Sequence, residues 1–413
     1  MSEQGDATLR AYGLVLTATV SYTTLTFIWF TLPAYLSVII EEVGLTGTQA
    51  GVLAGAVPLT YIPLALFTGV AVDRIGLDYS LAAGLAIFGL AQIGRSLATG
   101  FPSLLACTLL IGVGATVITF GLPKLVSVLF SPAKTGFPSS IYLVGAAAGT
   151  ASAFAVGRPV IGPFLGGWRP LFLWSGVFAI GYAAVWFTAA RALSLEEATA
   201  EHASGRERSE DAPLAPNSIG RDVRTILAHR ELRLVVVVGT VYLLVIHGMQ
   251  GWLPTILEAR GLDAGPAGRA TSLLIGANVV GILVVPTVAD RLEARRGAVM
   301  TCGCLIFVGL AGVLAGGIGP VMAAGVVATG FGVGGLSPLI RAIPPELEGI
   351  GARLTGTAVG FVFAVGEIGG FLGPVLIGTL RDLTGSFVPG LLVLAGGAVV
   401  AVGAGYAMQD VSR

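Results

Sequence analysis

The sequence predicts an all-α integral membrane protein with twelve transmembrane helices, arranged as two six-helix bundles related by pseudo-two-fold symmetry. Composition, the length of the uncharged stretches and an internal repeat lead to this prediction. Apolar residues make up 54% of the chain and charged residues 11%, whereas soluble domains carry about 25% charged residues. Without water to bond the backbone, only helices or a closed barrel span a bilayer. The uncharged stretches are too long for barrel strands of about 10 residues.

Eleven stretches of the sequence contain at most one Asp, Glu, Lys or Arg. They are residues 11–40, 43–72, 79–94, 96–123, 135–168, 170–190, 234–257, 270–289, 297–340, 354–380 and 383–409. A bilayer core about 30 Å thick needs about 20 apolar helical residues, and nearly every stretch is that long. The stretch 297–340 is twice too long and contains the turn signal Gly316-Gly317-Ile318-Gly319-Pro320. Splitting it there gives twelve helices.

The spacing of the helices and of the basic residues predicts the domains and the orientation. Residues 1–190 are expected to form an amino-terminal six-helix bundle, 191–233 a cytoplasmic linker, and 234–413 a carboxy-terminal six-helix bundle. With the amino terminus in the cytoplasm, 17 of the 23 Lys and Arg residues fall on or near the cytoplasmic side, as the positive-inside rule requires. We therefore expect a multi-pass protein of the cell (cytoplasmic) membrane with both termini cytoplasmic.

Two kinds of motif occur in both halves of the chain. The second predicted helix and the eighth each end in an Asp-Arg pair, and the fifth and the eleventh each contain a Gly-Pro pair. The residues at the helix ends are Gly69, Asp73, Arg74 and Gly76, and then Asp290, Arg291, Arg295 and Arg296. The Gly-Pro elements are Gly162, Pro163, Gly166 and Gly167, and then Gly373 and Pro374. Such repeats are typical of transporters built from repeated bundles.

These motifs resemble those of the major facilitator superfamily along essentially the whole chain. The pattern Gly69-x3-Asp73-Arg74-x-Gly76 matches the family's loop motif between helices two and three, although Leu77 and Asp78 replace its usual basic residues. The resemblance implies a transporter that works by alternating access. It also implies that Asp73 belongs to a conformational switch, facing the positive end of a helix near residues 354–356.

Within that superfamily the sequence most resembles the cyanate and nitrate-type porter branch. The similarity rests on helix seven from His247 to Pro254, on helix four from Gly121 to Lys124, and on Arg95. Nitrate carriers of that branch bind their substrate through arginines of helices two and eight. The stretches 43–72 and 270–289 contain no arginine, which argues against nitrate.

Ionisable groups inside predicted spans are candidates for binding the solute or a proton. A carboxyl group removed from water favours its neutral form, which suits Glu367 for carrying a proton, and His247 titrates near neutrality. The full set of candidates is Glu367, His247, Gln250, Arg158, Lys124, Tyr22, Trp29 and Asn278. Each also has a structural interpretation: a carboxyl or imidazole held by neighbouring groups, a lysine that reaches the surface, or helix packing. Trp252 is expected to be an interfacial aromatic residue.

Taken together, these features predict a secondary active transporter that moves a small anionic solute by alternating access, and the movement is either coupled to protons or facilitative. The expected partners are the solute and the lipid bilayer, and the expected state is a monomer. Catalytic triads, phosphate loops and metal-ligand spacings are missing from the sequence. No enzyme activity, metal, cofactor or nucleic acid is therefore predicted. Two alternatives remain: an exporter of hydrophobic organic compounds, and a membrane sensor that does not transport.

Overall fold

The structure, a computed structural model, describes residues 2–131, 134–199, 224–347 and 352–409, and these ranges form twelve long helices. The helices are α1 (Ser2–Ala34), α2 (Gly47–Ile75), α3 (Leu77–Leu97), α4 (Phe101–Leu129), α5 (Gly136–Leu165), α6 (Trp168–Ala192), α7 (Arg230–Ala259), α8 (Ala264–Arg291), α9 (Arg295–Ala315), α10 (Pro320–Ala342), α11 (Ala352–Thr384) and α12 (Val388–Ala407). Eleven of these meet the length and hydropathy of a membrane span within the described ranges. The remaining helix, α2, is 29 residues long. The predicted all-helical fold is confirmed, including the break between α9 and α10.

The helices group into two compact units. Unit 1 contains Met1–Leu32 and Pro63–Pro213, and unit 2 contains Pro33–Ile62 and Leu214–Arg413. Unit 1 therefore holds most of α1, the second part of α2 and α3 to α6. Unit 2 holds a short helix, Leu36–Val43, the first part of α2 and α7 to α12. The division at 1–190, 191–233 and 234–413 stays a prediction, and most of the expected linker lies outside the described residues.

Glycines let the helices of unit 1 approach one another closely. A Cβ added to Gly176 of α6 would lie 2.6 Å from the carbonyl oxygen of Gly89 in α3. A Cβ on Gly114 of α4 would likewise lie 2.6 Å from the carbonyl oxygen of Gly84. Lipid tails are as apolar as side chains, so close backbone packing replaces the hydrophobic effect as the force between helices. Contacts of this kind account for part of the 61 glycines in the chain.

The fifth helix departs from regular geometry where the sequence places its Gly-Pro motif. Its middle part, Ala153–Ile161, is a π-helix, a form that is rare and usually short. At its end Gly166 and Gly167 have φ angles of 95° and 128°, which side chains rarely permit. The N–H of Gly167 donates to the carbonyl of Gly162 at 2.7 Å. The motif therefore makes the turn from α5 into α6.

In unit 2, α7 and α11 pack along their glycines. A Cβ on Gly373 would meet the carbonyl oxygen of Leu244, and one on Gly369 would meet that of Thr240. Pro374 follows in the middle of α11, and its carbonyl accepts a hydrogen bond of 2.9 Å from the indole Nε1 of Trp252. Trp252 is 0% exposed, so the expectation of an interfacial aromatic residue was wrong. The indole instead satisfies a buried carbonyl, as buried Trp side chains usually do.

The start of α2 is held to α11 by one carboxylate. Asp382 accepts hydrogen bonds of 2.7 Å from the backbone N–H groups of both Gly47 and Thr48, and one of 2.8 Å from the Thr48 hydroxyl. These N–H groups have no partner inside the helix, and a negative charge is favourable at the positive end of its dipole. Asp382 thus caps α2 from another helix, in a contact that we call the α2 cap.

We expect Asp382→Ala to lower the melting temperature of the detergent-purified protein, because loss of an N-terminal cap costs about 1 kcal/mol. Asp263→Ala is the matched control, since Asp263 precedes α8 without making a side-chain cap bond. Thermal unfolding followed by tryptophan fluorescence compares the two variants. Equal melting temperatures would show that the α2 cap does not stabilise the protein.

Candidate functional site

The most buried pair of titratable side chains that touch in the described parts of unit 2 is His247 with Glu367. His247 lies in α7 and Glu367 in α11, and their Nε2 and Oε2 atoms are 3.8 Å apart. The two side chains are only 11% and 12% exposed. The α7–α11 glycine contacts bring these helices together over this region. Two residues that the sequence proposed separately are therefore neighbours.

Glu367 lacks the hydrogen bond that a buried carboxyl normally requires. Its Oε2 atom is buried and has no hydrogen-bond partner among the described residues. A carboxylate left in this state is unstable in an apolar interior. Two changes relieve it: protonation of the carboxyl, or protonation of His247, which would make the contact an ion pair. The pair is therefore suited to holding and releasing one proton.

Gly370 packs tightly against the pair, and Pro374 leaves a backbone acceptor beside it without its helical donor. A Cβ on Gly370 would lie 2.8 Å from Glu367 Oε2, 2.9 Å from His247 Cδ2 and 3.3 Å from the Cβ of Pro58. Because proline has no N–H, Pro374 cannot donate to the carbonyl of Gly370 one turn earlier. We call His247, Glu367, Gly370 and Pro58 the α7–α11 site. Sequence reasoning missed Gly370 and Pro58. Pro374 of the Gly-Pro motif was a signal for Gly370, which lies four residues before it.

The remaining candidates of unit 2 lie elsewhere on its helices. Gln250 is buried on α7, 9% exposed and about one turn from His247. Asn278 lies on α8, where its backbone carbonyl touches Gly334 of α10. Its Nδ2 atom is buried without a hydrogen-bond partner in the described part of the chain. Asn278 is thus a second unsatisfied polar group, separate from the α7–α11 site.

Four candidates lie in unit 1, namely Tyr22, Trp29, Lys124 and Arg158. Tyr22 of α1 faces Tyr142 of α5 with ring centroids 6.1 Å apart. Trp29 of α1 stacks on Phe30 at 5.0 Å. Arg158 is part-exposed on the π-helical part of α5. Their roles in solute binding remain predictions.

The motif at the end of α2 forms local ion pairs within unit 1. Asp73 pairs with Lys124 of α4, which gives Lys124 a partner in this motif. Asp78 pairs with Arg191 of α6 at 3.3 Å, and its backbone carbonyl accepts from Trp186 at 3.1 Å. Asp78 therefore ties the loop to α6, a role that sequence reasoning missed because the two residues are far apart in the chain. The side chains of 354–356, the predicted partners of Asp73, lie outside the described residues.

The second copy of the motif, at the end of α8, keeps the same type of contact. Asp290 pairs with Arg295 at 3.0 Å, and Arg296 lies 5.2 Å from the centroid of the Tyr406 ring. Arg74 and Arg291 are exposed in their respective copies, and Gly69 lies in α2. Gly76 has a φ of 92° and begins the turn into α3. Both copies therefore hold an aspartate beside a basic side chain at the same helix end.

A family model described as Major Facilitator Superfamily matches residues 14–374. The chain belongs to this superfamily. Its relatives include an uncharacterised transporter of Bacillus subtilis (strain 168), 27% identical over 90% of this chain and 87% of the relative. Another is the 3-(3-hydroxy-phenyl)propionate transporter of Escherichia coli (strain K12), 29% identical over 86% of this chain and 85% of the relative.

A solved structure of the nucleoside transporter NupG shares the fold, with a TM-score of 0.73 and 12% identity over 95% of this chain and 98% of that one. The predicted superfamily, its twelve-helix fold and a transport function are thus confirmed. Superfamily members and the relatives are transporters, in agreement with the expectation that the chain is not an enzyme. The chain is a multi-pass membrane transporter of small molecules. The cyanate and nitrate-type branch stays a prediction.

We expect Gly370→Ala to slow transport roughly tenfold or more, because a new methyl group would displace Glu367 and His247, and small misplacements at a site cost large factors in rate. Gly360→Ala on the same helix is the control, since a Cβ there meets no atom within 4 Å. Initial rates of solute uptake into proteoliposomes provide the measurement. Equal rates for the two variants would remove the α7–α11 site from the mechanism.

Lys124 is either an ion-pair partner of Asp73 or a residue that binds the solute, and variants of the Asp73–Lys124 pair distinguish these two roles. The two side chains are 66% and 27% exposed, and such ion pairs contribute about 0–1 kcal/mol. Lys124→Gln and Asp73→Asn should therefore lower the maximal uptake rate by no more than about fivefold and leave KM unchanged. The charge-swapped double variant, Asp73→Lys with Lys124→Asp, should restore the rate. A large rise of KM in Lys124→Gln alone would instead indicate that Lys124 contacts the solute.

Proposed function

We propose that this chain is a proton-coupled carrier of a small organic anion. It works as a monomer in the cell membrane, with both termini in the cytoplasm. In this proposal the solute site opens to each side of the membrane in turn, as in other carriers built from repeated bundles. Glu367 carries the coupled proton, and His247 is the neighbouring group that exchanges with it.

The unsatisfied carboxyl of Glu367 is the observation that carries the proposal. Ionisable groups in membrane spans are rare and mark ion or proton pathways. Its neighbour is a histidine, which can accept or release a proton, rather than an arginine or lysine that would hold the carboxylate permanently ionised. A group that alternates between a neutral and a charged form can load a proton on one side of the membrane and release it on the other.

Two observations support an anionic solute. The relative from Escherichia coli is named for a propionate, which is a carboxylate. In the sequence of unit 1, residues 79–195 contain six Lys and Arg residues and no Asp or Glu. Arg158 is among them, and a planar guanidinium suits a flat anion. Two of the six pair with Asp73 and Asp78, and the net positive charge along this part of the chain favours an anion over a cation.

The decisive test is Glu367→Gln in proteoliposomes. Wild-type protein should accumulate radiolabelled 3-(3-hydroxyphenyl)propionate or a related carboxylate when a pH gradient is imposed. The variant should lose this accumulation, because glutamine cannot carry a proton, while exchange of labelled for unlabelled solute continues. Asp263→Asn, an exposed carboxylate before α8, should leave both processes unchanged.

Three results would contradict the proposal. Unchanged accumulation by Glu367→Gln would exclude this residue as the proton site. Accumulation driven by a sodium gradient would assign a different coupling ion. Drug resistance in overexpressing cells without carboxylate uptake would favour the alternative of an exporter of hydrophobic compounds, and absence of any saturable flux would favour a sensor.

A further inference from the structure

A second ionisable group is buried in unit 1. Arg95 lies in the last turn of α3 and is 1% exposed. A charged side chain inside a membrane protein costs free energy unless another charge or full hydrogen bonding compensates for it. A buried charge at Arg95 therefore needs a physical explanation.

Neutral groups hold the Arg95 guanidinium through its Nε and Nη1 atoms. Its Nε donates to the hydroxyl of Thr108 in α4 at 3.0 Å, and its Nη1 donates to the amide oxygen of Gln92 at 3.3 Å. A third, longer bond of 3.5 Å reaches the carbonyl of Ile28 in α1. Ile28 directly precedes Trp29, one of the residues predicted to line the cavity. The guanidinium is thus fixed in position between α1, α3 and α4.

The groups around Arg95 are themselves oriented by the backbone. Gln92 passes its amide protons to Thr31 at 3.1 Å and to Ser175 of α6 at 3.3 Å. The Thr108 hydroxyl donates to the carbonyl of Leu104 at 2.6 Å, so its oxygen faces Arg95 as an acceptor. Every bond therefore runs outward from the guanidinium to a neutral acceptor. The network fixes the position of the Arg95 guanidinium but provides no negative charge to balance it.

No carboxylate neutralises Arg95. In the described ranges it makes no ion pair, and its Nη2 donates no hydrogen bond. The chain itself explains this, since residues 79–195 contain no Asp or Glu. The other two arginines at the same end of unit 1 are Arg158 and Arg169, so the surrounding charge is positive. Within the described residues the guanidinium thus has hydrogen-bond acceptors but no negatively charged partner.

We propose that Arg95 is the residue of unit 1 that binds the carboxylate of the transported solute, an inference that rests on the proposed function. A planar guanidinium already fixed through Nε and Nη1 offers its Nη2 donors to a carboxylate oxygen. Binding also supplies a negative charge, which lowers the cost of burying the cation. Alternating access would bring the solute to Nη2.

Arg169 provides a matched control at the same end of the unit. Its Nη1 donates to the carbonyls of Ser96 and Ala98 at 2.9 and 2.8 Å, and its guanidinium lies 4.3 Å from the centroid of the Trp168 ring. Arg169 therefore closes the end of α3 through backbone contacts. Substitution there perturbs the same helix end and leaves Arg95 in place.

The experiment measures binding and stability in the same samples. The melting temperature of purified wild-type protein, Arg95→Gln, Arg95→Lys and Arg169→Gln is recorded with 3-phenylpropionate and with its neutral amide. A ligand that binds the folded state raises the melting temperature by mass action. Wild type and Arg169→Gln should respond to the carboxylate and not to the amide. Arg95→Gln should lose the response, and its KM for uptake should rise about 30-fold or more.

The stability of the ligand-free variants separates binding from packing. Since Arg95→Gln removes an uncompensated charge, its melting temperature without ligand should equal or exceed that of wild type. Arg95→Lys keeps the charge but not the planar fork and should retain a weakened response. An unchanged carboxylate response in Arg95→Gln would overturn this inference alone. Loss of folding in both Arg95 variants would assign the residue to stability and also overturn it. A wild type that responds to no carboxylate would overturn the proposed function together with this inference.

Discussion

Backbone hydrogen bonding inside the bilayer is the constraint on which this structure depends. Each N–H and C=O must find its partner within its own helix, which is why the described chain is a set of long helices joined by short turns. The site proposed here lies where that rule is broken. Pro374 leaves the carbonyl of Gly370 without its helical donor, one turn from the unsatisfied carboxyl of Glu367. A break in the α-helical pattern, the π-helical part of α5, likewise carries Arg158.

The two units hold ionisable groups of opposite kind. Unit 2 buries a carboxyl beside a histidine, and unit 1 buries a guanidinium among neutral acceptors. Neither group meets an opposite charge that would hold it permanently ionised and satisfied. A stable membrane protein without a transport role would gain from pairing or replacing such groups. In the proposed mechanism the proton would compensate the carboxyl of unit 2, and the anion would compensate the guanidinium of unit 1.

Sequence reasoning succeeded where the information is local. Helix number followed from stretch length, and the α9–α10 break from the glycine and proline residues at 316–320. It could not foresee that Asp78 meets Arg191, or that Trp252 turns inward to Pro374. Such contacts depend on the rotation of each helix about its axis. In a soluble protein an apolar stripe reveals that rotation. Here lipid and protein interior are equally apolar, so the sequence carries little trace of it.

The α2 cap has a consequence for the rate of movement. The residues of α2 up to Ile62 belong to unit 2 and those from Pro63 onward to unit 1, so this single helix is shared. Pro58 and Pro63, on either side of this boundary, weaken the hydrogen bonding of α2, and Asp382 holds its first residues. If the proposed transport cycle releases this cap, the step costs about 1 kcal/mol, and 1.36 kcal/mol corresponds to about a factor of ten in rate.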